Sequence, residues 1–304
     1  MRKLHAAGFV ATIVVLAGAC GSDNNDDIIT DDQGAAIGQA IAAQLATVPA
    51  SFTVTDFAST AGGGGLFFAR AGVKARPFGV SPALLNAACP NVTGDLTDDD
   101  QDDVPANALL TFQSPDCDGT NDDGFDYTVT GTLRIQDLPT AAVGYSATFT
   151  DLETTVTTGT GTIALQFNGT HGVSGTAAGG TLQEAVSLHL DVQGQGGNVS
   201  GTISNSWSVT FTAPGNDLAM GLPLPDGTFD IDGTFHYNVS GTNVRFDVST
   251  QSSLDFDPTC GLDFPFSGGE VRAHLEGEDG NVYARIVYTG CGETPEVTFF
   301  GRNS

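Results

Sequence analysis

The sequence predicts a mainly β protein: a long antiparallel meander forming a curved sheet, half-barrel or barrel, with one N-terminal amphipathic helix. Three observations carry this expectation. From Tyr127 almost to the end, apolar residues recur at every second position, the period of a strand with one buried face. Turn signals separate these runs, among them Gly194-Gln-Gly-Gly-Asn, Asp226-Gly, Ser240-Gly-Thr-Asn and Asp279-Gly-Asn. The composition, with 40 Gly, two Met and one Trp in 304 residues, suits coiled strands and tight turns better than packed helices.

Taken along the chain, residues 32–48 form the one predicted helix. Ile37, Ile41, Leu45 and Val48 recur at spacings of four, four and three on an Ala-rich background, giving a narrow apolar stripe that packs on a sheet. Asp31 or Asp32 caps its start and Pro49 closes it. Ser51 to Phe57 alternates like a short strand, Gly62 to Gly65 is a joint, and Arg70, Lys74 and Arg76 match the acidic stretch that follows in charge. The strand runs come next, with Tyr127, Val129, Gly131, Leu133 and Ile135 on one face, then Ile163, Leu165 and Phe167. Val186 to Val192, Trp207 to Phe211, Phe229 to Val239, Val244 to Val248 and Val282 to Tyr288 continue the scheme toward Val297 and Phe299. Glycines within these runs, such as Gly131 and Gly233, permit the bends by which a wide sheet coils.

At the N-terminus, Met1 to His5 is short and basic, Ala6 to Leu16 is apolar but too short to span a bilayer, and Ala17-Gly18-Ala19 sets small residues before Cys20. This segment resembles the signal and lipobox of bacterial lipoproteins. The resemblance implies a signal peptide over 1–19, acylation of Cys20 as the first mature residue, and anchoring to the outer membrane on its periplasmic or surface-exposed face. Two or more acyl chains hold a protein stably where a single one does not. Residues 20–31 then read as a flexible acidic tether and 32–304 as a single β-rich domain. Within it lie the helix of 32–48, an acidic stapled loop over 89–126 and the meander of 127–301.

Without residues 1–19 the chain keeps 8 basic and 36 acidic residues, a formal charge of −28. That field disfavours nucleic acid and anionic headgroups as partners. Of the five cysteines, four remain once Cys20 is assigned to lipid, and an even remainder in an exported chain argues for disulfides. Four cysteines allow three pairings; nearest neighbours give Cys89–Cys117 and Cys260–Cys291. There is no C-x-x-C pair to favour a metal or redox site instead.

The strongest internal motif is Asp95-Leu-Thr-Asp98-Asp-Asp100-Gln-Asp102-Asp-Val104-Pro105, which resembles the calcium loops of thrombospondin type 3 repeats. Acids at alternate positions of a tight loop point hard oxygens inward, as Ca²⁺ requires. The resemblance implies Asp98, Asp100 and Asp102 as side-chain ligands and the Val104 carbonyl at the seventh position. Asp103 stands where the turn glycine belongs, Ala106 where an acid does and Leu109 where position twelve supplies a carboxylate, so the implied site is weak and partly hydrated. A second cluster, Asp116, Asp118, Asn121, Asp122 and Asp123, stands ready to complete the sphere if Cys89 and Cys117 are joined. The expected cofactor is Ca²⁺ in a structural role.

No Gly-x-Ser-x-Gly elbow, His-Glu-x-x-His helix or phosphate-cradling loop occurs, and His171, His189, His236 and His274 are scattered, so no catalytic residue is assigned. With lipobox, acidic loop and Gly/Thr-rich meander together, the chain is similar to uncharacterised β-rich lipoproteins of Gram-negative bacteria. The first expectation for function is a non-enzymatic lipid-anchored envelope protein, structural or adhesive and calcium-stabilised. The alternative is a binding module or carrier that encloses an apolar ligand or lipid in its curved sheet.

Overall fold

Thr30 opens the first helix with a capping box. Its Oγ1 accepts from Gln33 N at 3.3 Å while Gln33 Oε1 accepts from Thr30 N at 2.9 Å, so two donors at the helix start are satisfied reciprocally. The computed structural model describes residues 29–46, 48–52, 89–98, 104–120, 125–138, 143–194, 197–219, 223–260, 264–278 and 280–301. Helix α1 spans Asp31–Leu45, with Asp31 and Asp32 in its first turn, where carboxylates favour the helix dipole, rather than at the cap. It ends at Leu45, earlier than the apolar spacing predicts. Val48 and Pro49 open a separate four-residue turn, α2 (Val48–Ser51), so Ser51 is helical and not the start of a strand.

Thirteen strands follow among the described residues, and all pair antiparallel in one sheet. They are β1 (Asn91–Asp95), β2 (Asn107–Phe112), β3 (Asp118–Thr120), β4 (Asp126–Asp137), β5 (Val143–Thr158), β6 (Gly161–Thr176) and β7 (Gly179–Gly194). The rest are β8 (Gly197–Thr212), β9 (Gly227–Val239), β10 (Thr242–Phe256), β11 (Phe266–Leu275), β12 (Tyr283–Tyr288) and β13 (Glu296–Phe300). The spatial order is the sequence order, with β3 alone off the path as a short partner of β4. The predicted meander is therefore present, as an open curved sheet whose path begins at β1 and ends at β13. The stretch expected as one stapled loop, 89–126, contributes three of its strands.

Bends occur where glycine allows them. Gly131 takes φ +106° opposite Asp151 at φ +46°, and a Cβ on Gly131 would lie 2.1 Å from the Asp151 carbonyl oxygen. The pairing slips there on both sides of β5, between Thr130 and Thr132 and between Phe149 and Leu152, which is the signature of a bulge that increases coiling. At the β9–β10 turn, Ser240 (φ +52°) and Gly241 (φ +89°) supply the two left-handed residues of a tight hairpin.

One face of this sheet is apolar and buried. Leu133, Ile135, Leu182, Val209, Phe229, Phe235, Phe246, Val271 and Ile286 lie on it and are fully buried. Helix α1 packs on its β12–β13 end, where Gly34 meets the Phe299 ring and Gly38 meets Val297 and Ala284. The helix buries Ile37, Ile41 and Leu45 in that contact, as the spacing predicts. Phe52, fully buried, packs against the pair Phe211 and Phe229 at ring distances of 5.7 and 5.6 Å. Burying such a ring stabilises by about 2–3 kcal/mol.

Candidate functional site

Within the apolar face sits one polar chain. On β6, β7 and β8 the inward parity is held by Val173, Leu182 and Val209, and the same parity places His171, Glu184, Asn205 and Trp207 inward as well. His171 pairs directly across from Glu184, and Glu184 from Trp207. His171 Nδ1 lies 2.9 Å from Glu184 Oε2, and Tyr145 Oη of β5 lies 3.0 Å from His171 Nε2. Asn205 Nδ2 donates to the other carboxylate oxygen, Glu184 Oε1. In the neutral tautomer with its proton on Nδ1, His171 donates to Glu184 and accepts from the Tyr145 hydroxyl, so each donor meets an acceptor across four strands.

Burial explains the electrostatics. His171 and Asn205 are the buried polar side chains among the described residues, at 2 % and 8 % exposure, and Glu184 retains 21 %. Desolvation pushes the Glu184 carboxyl upward, but the hydrogen bond and electrostatic attraction of His171, with the Asn205 amide, outweigh it and hold the group below the usual carboxylate range. Burial drives the Tyr145 hydroxyl far above its ordinary value, and the Glu184 charge adds to this. A phenol held so strongly protonated and fully buried is a hydrogen-bond donor and a poor nucleophile. Trp207 Nε1 is buried beside this chain with no hydrogen-bond partner among the described residues.

The sequence reading passed over this cluster, although a signal for it exists. His171, Glu184 and Asn205 each occupy an apolar parity position in three consecutive strands, whereas His189 and His236 fall on the polar parity. Three polar intrusions on one face, in strands that pair in sequence order, predict a buried hydrogen-bonded cluster.

Both nearest-neighbour disulfides are formed. Cys89–Cys117 joins the start of β1 to the turn before β3 with Cα atoms 5.1 Å apart, and Cys260–Cys291 joins the β10–β11 connection to the β12–β13 connection at 4.6 Å. Asp257, Cys260 and Cys291 lie close enough to suggest a metal cluster, but the two sulfurs are consumed in the disulfide and the Asp257 carboxylate accepts from Thr259 N and Oγ1 at 2.8 and 2.6 Å. That turn holds the Asp257 carboxyl below its ordinary value.

The acidic stretch is described at its ends. Ala106 N donates to Thr97 O at 2.7 Å, which brings the two described ends of the stretch together between β1 and β2. Val104 is fully buried and Asp137 N donates to Pro105 O at 3.2 Å, so the exit of the loop is anchored in the core. Asp100 and Asp102 lie outside the described residues, as do Asn121, Asp122 and Asp123, Cys20, and the basic residues Arg70, Lys74 and Arg76. Asp118 is a β3 residue whose Oδ2 accepts from Ser114 Oγ at 2.7 Å, and Asp116 sits in the turn before it. Among the described residues Asp98, Asp116 and Asp118 do not converge as a three-ligand group.

On the outer face, Glu270 receives Arg285 Nη2 at 2.7 Å and Arg272 Nε at 2.9 Å, and these bonds, led by Arg285, hold its carboxyl below the ordinary range. Arg272 also lies 5.2 Å over the Tyr283 ring, which stacks on Phe300 at 4.7 Å. A further depression of about 360 Å³, lined by His236, Asn243, Val244, Arg245, Leu275 and Glu276, opens where β9 and β10 pass the end of β11. No helix among the described residues is long and apolar enough to cross a membrane. Comparison with family models, curated proteins and solved structures yields no match to this chain, so its reading rests on its own geometry.

Proposed function

We propose that this chain is a non-enzymatic, lipid-anchored protein of the cell envelope with a structural or adhesive role, its open sheet stabilised by two disulfides and by Ca²⁺ at the acidic loop. The observation that carries the reading is the filling of the inner face. Helix α1 and Phe52 occupy the space over β8, β9, β12 and β13 with Ile37, Ile41, Leu45 and the Phe52 ring, all 1 % exposed or less. A carrier requires a sizeable concavity lined by apolar strand faces. The depression of about 360 Å³ has a rim of His236, Asn243, Arg245 and Glu276 instead, a polar set unsuited to an acyl chain. Against an enzymatic reading stands the burial of the only Tyr–His–Glu chain among the described residues, where Tyr145 and His171 offer no atom to a substrate.

The lipid anchor at Cys20 and a location on the outer membrane follow from the N-terminal motif, and the disulfides agree with an oxidising compartment. For calcium, the support is the acidic sequence together with its ends: the Thr97–Ala106 hydrogen bond and the buried Val104 hold both ends of the segment that carries Asp98, Asp100 and Asp102. A bound cation would offset the repulsion of these carboxylates.

The test is fractionation of a Gram-negative host fed labelled palmitate, followed by native mass spectrometry of the envelope-purified protein. The expected result is label on the wild type in the outer-membrane fraction, label lost and protein released with Cys20→Ser, and a mass explained by acyl groups, two disulfides and Ca²⁺. Unlabelled wild type or a membrane-bound Cys20→Ser chain overturns the anchor. A stoichiometric apolar ligand beyond the acyl groups overturns the structural reading in favour of a carrier.

A further inference from the structure

Strand β10 outlasts its neighbour β11. Their pairing runs to Phe246 opposite Leu275, and the last bond between them, from Glu276 N to Arg245 O at 2.8 Å, leaves Asn243 and Val244 with no β11 residue opposite. The chain turns away toward β12 at that point, and the notch so formed is the depression of about 360 Å³. Its size lies within the range of small-molecule sites.

The groups around it alternate in kind. His236 Nε2 stands 2.7 Å from Asn243 Oδ1 and donates to it, which leaves Nδ1 and the two donors of the Asn243 amide nitrogen facing outward. Arg245 Nε and Glu276 Oε2 are 3.7 Å apart, beyond hydrogen-bond distance, and both side chains are half exposed, at 50 % and 54 %. The guanidinium and the carboxylate therefore retain bonding capacity for a third party. Val244 and Leu275, 4 % and 5 % exposed, turn their side chains into the core and form the floor beneath these polar groups.

Charge narrows the ligand. One cation and one anion leave the notch close to neutral, and an anionic ligand would have to approach against the net charge of the whole chain, −26 with its signal segment included. A hard divalent cation finds a single carboxylate among the six lining residues, too few for its oxygen shell. A hydroxyl both donates and accepts, which matches a rim that mixes donors with acceptors. We infer that this notch is a binding site for a neutral saccharide unit, held by His236, Asn243, Arg245 and Glu276. It names the partner class for the adhesive side of the function proposed above and rests on that reading for its biological place.

The test is saturation-transfer NMR on the purified full-length protein in a sugar-free detergent, with methyl α-glucoside, methyl α-galactoside, methyl α-mannoside and N-acetylglucosamine at millimolar concentration. Transfer to the ring protons of at least one sugar is expected, weakened about tenfold in Arg245→Met and in His236→Phe, the loss equivalent to about 1.4 kcal/mol of hydrogen bonding. Circular dichroism checks that both variants keep the sheet, and the His236 imidazole resonances of the wild type are expected to move on sugar addition whether or not the variants fold. No transfer from any of the four, transfer unchanged in both folded variants, static His236 resonances, or tighter binding of glucuronic acid each overturns the inference. None of these readouts depends on acylation of Cys20 or on cell fractionation, so failure here leaves the envelope reading standing and failure there leaves this one.

Discussion

Replacing Glu184 by Ala removes the acceptor of two donors, His171 Nδ1 and Asn205 Nδ2, on side chains 2 % and 8 % exposed. Each buried donor left unsatisfied costs roughly 1–3 kcal/mol, so the expected loss is about 2–5 kcal/mol, or roughly a 5–15 °C fall in Tm for a domain of this size. Glu184→Gln keeps one acceptor and turns the other into a donor that faces a donor, and about 1–2 kcal/mol is expected. The two variants also separate by pH. The wild-type carboxyl is held below its ordinary value of 4.5, so its contribution is complete above that pH and is lost as pH falls through the folded value. The gap between wild type and Glu184→Gln is therefore expected to narrow from pH 7 toward acid, since glutamine does not titrate. The assay is urea unfolding followed by the fluorescence of Trp207, the sole tryptophan and the direct cross-strand neighbour of Glu184. A Glu184→Ala protein within about 0.5 kcal/mol of wild type, or a gap to Glu184→Gln that does not change with pH, would refute the reasoning.

Other perturbations test other parts of the molecule. Cys89→Ser with Cys117→Ser opens a loop whose ends are 28 residues apart and is expected to cost about 3–4 kcal/mol, read as a lower urea midpoint without reducing agent, where Cys260–Cys291 stays closed in both proteins. Gly34→Ala raises helix propensity by about 1 kcal/mol, yet its Cβ would stand 2.4–2.6 Å from three atoms of the Phe299 ring. Net destabilisation of about 1–2 kcal/mol in thermal melts is expected, and a stabilised variant contradicts the packing. Millimolar Ca²⁺ is expected to raise Tm in the wild type and to have no effect when Asp98, Asp100 and Asp102 are all changed to Asn; a wild type indifferent to Ca²⁺ and chelator rules the site out.

The meander was legible because its physics is local. Period-two runs with turn residues between them specify both strand and hairpin, and from β4 to β13 each strand pairs with its neighbours in sequence. Helix α1 was legible in its buried stripe but not in its ends. The spacing of Ile37, Ile41 and Leu45 carries on to Val48, whereas Thr30 and Gln33 determine the start through a two-way hydrogen bond that apolar periodicity does not register. The strands β1, β2 and β3 hid inside a stretch whose acidic residues dominate its composition, although Ala108, Leu110 and Phe112 alternate and are buried. The buried polar chain was harder, because each member is ambiguous alone. Only the register, which sets His171 beside Glu184 and Glu184 beside Trp207, turns separate polar intrusions into one cluster.

That register also accounts for the unequal strand lengths. The four strands that share the Tyr145–His171–Glu184–Asn205 chain, β5 to β8, are the longest, at 16 residues each, and the sheet shortens to 5 residues at both β1 and β13. A long flat edge would template pairing with other chains, and short edge strands blunt that hazard in a sheet that does not close on itself. The long central strands carry the opposite risk, a slip in register, which in a Gly-rich and Thr-rich strand costs little on the polar face. A two-residue slip between β6 and β7 keeps the apolar faces together but separates His171 from Glu184 and leaves both in apolar surroundings, so the polar chain penalises the misregistered sheet by more than it stabilises the correct one. Its place at the middle of the sheet, far from either edge, is where such a penalty constrains the largest number of pairings.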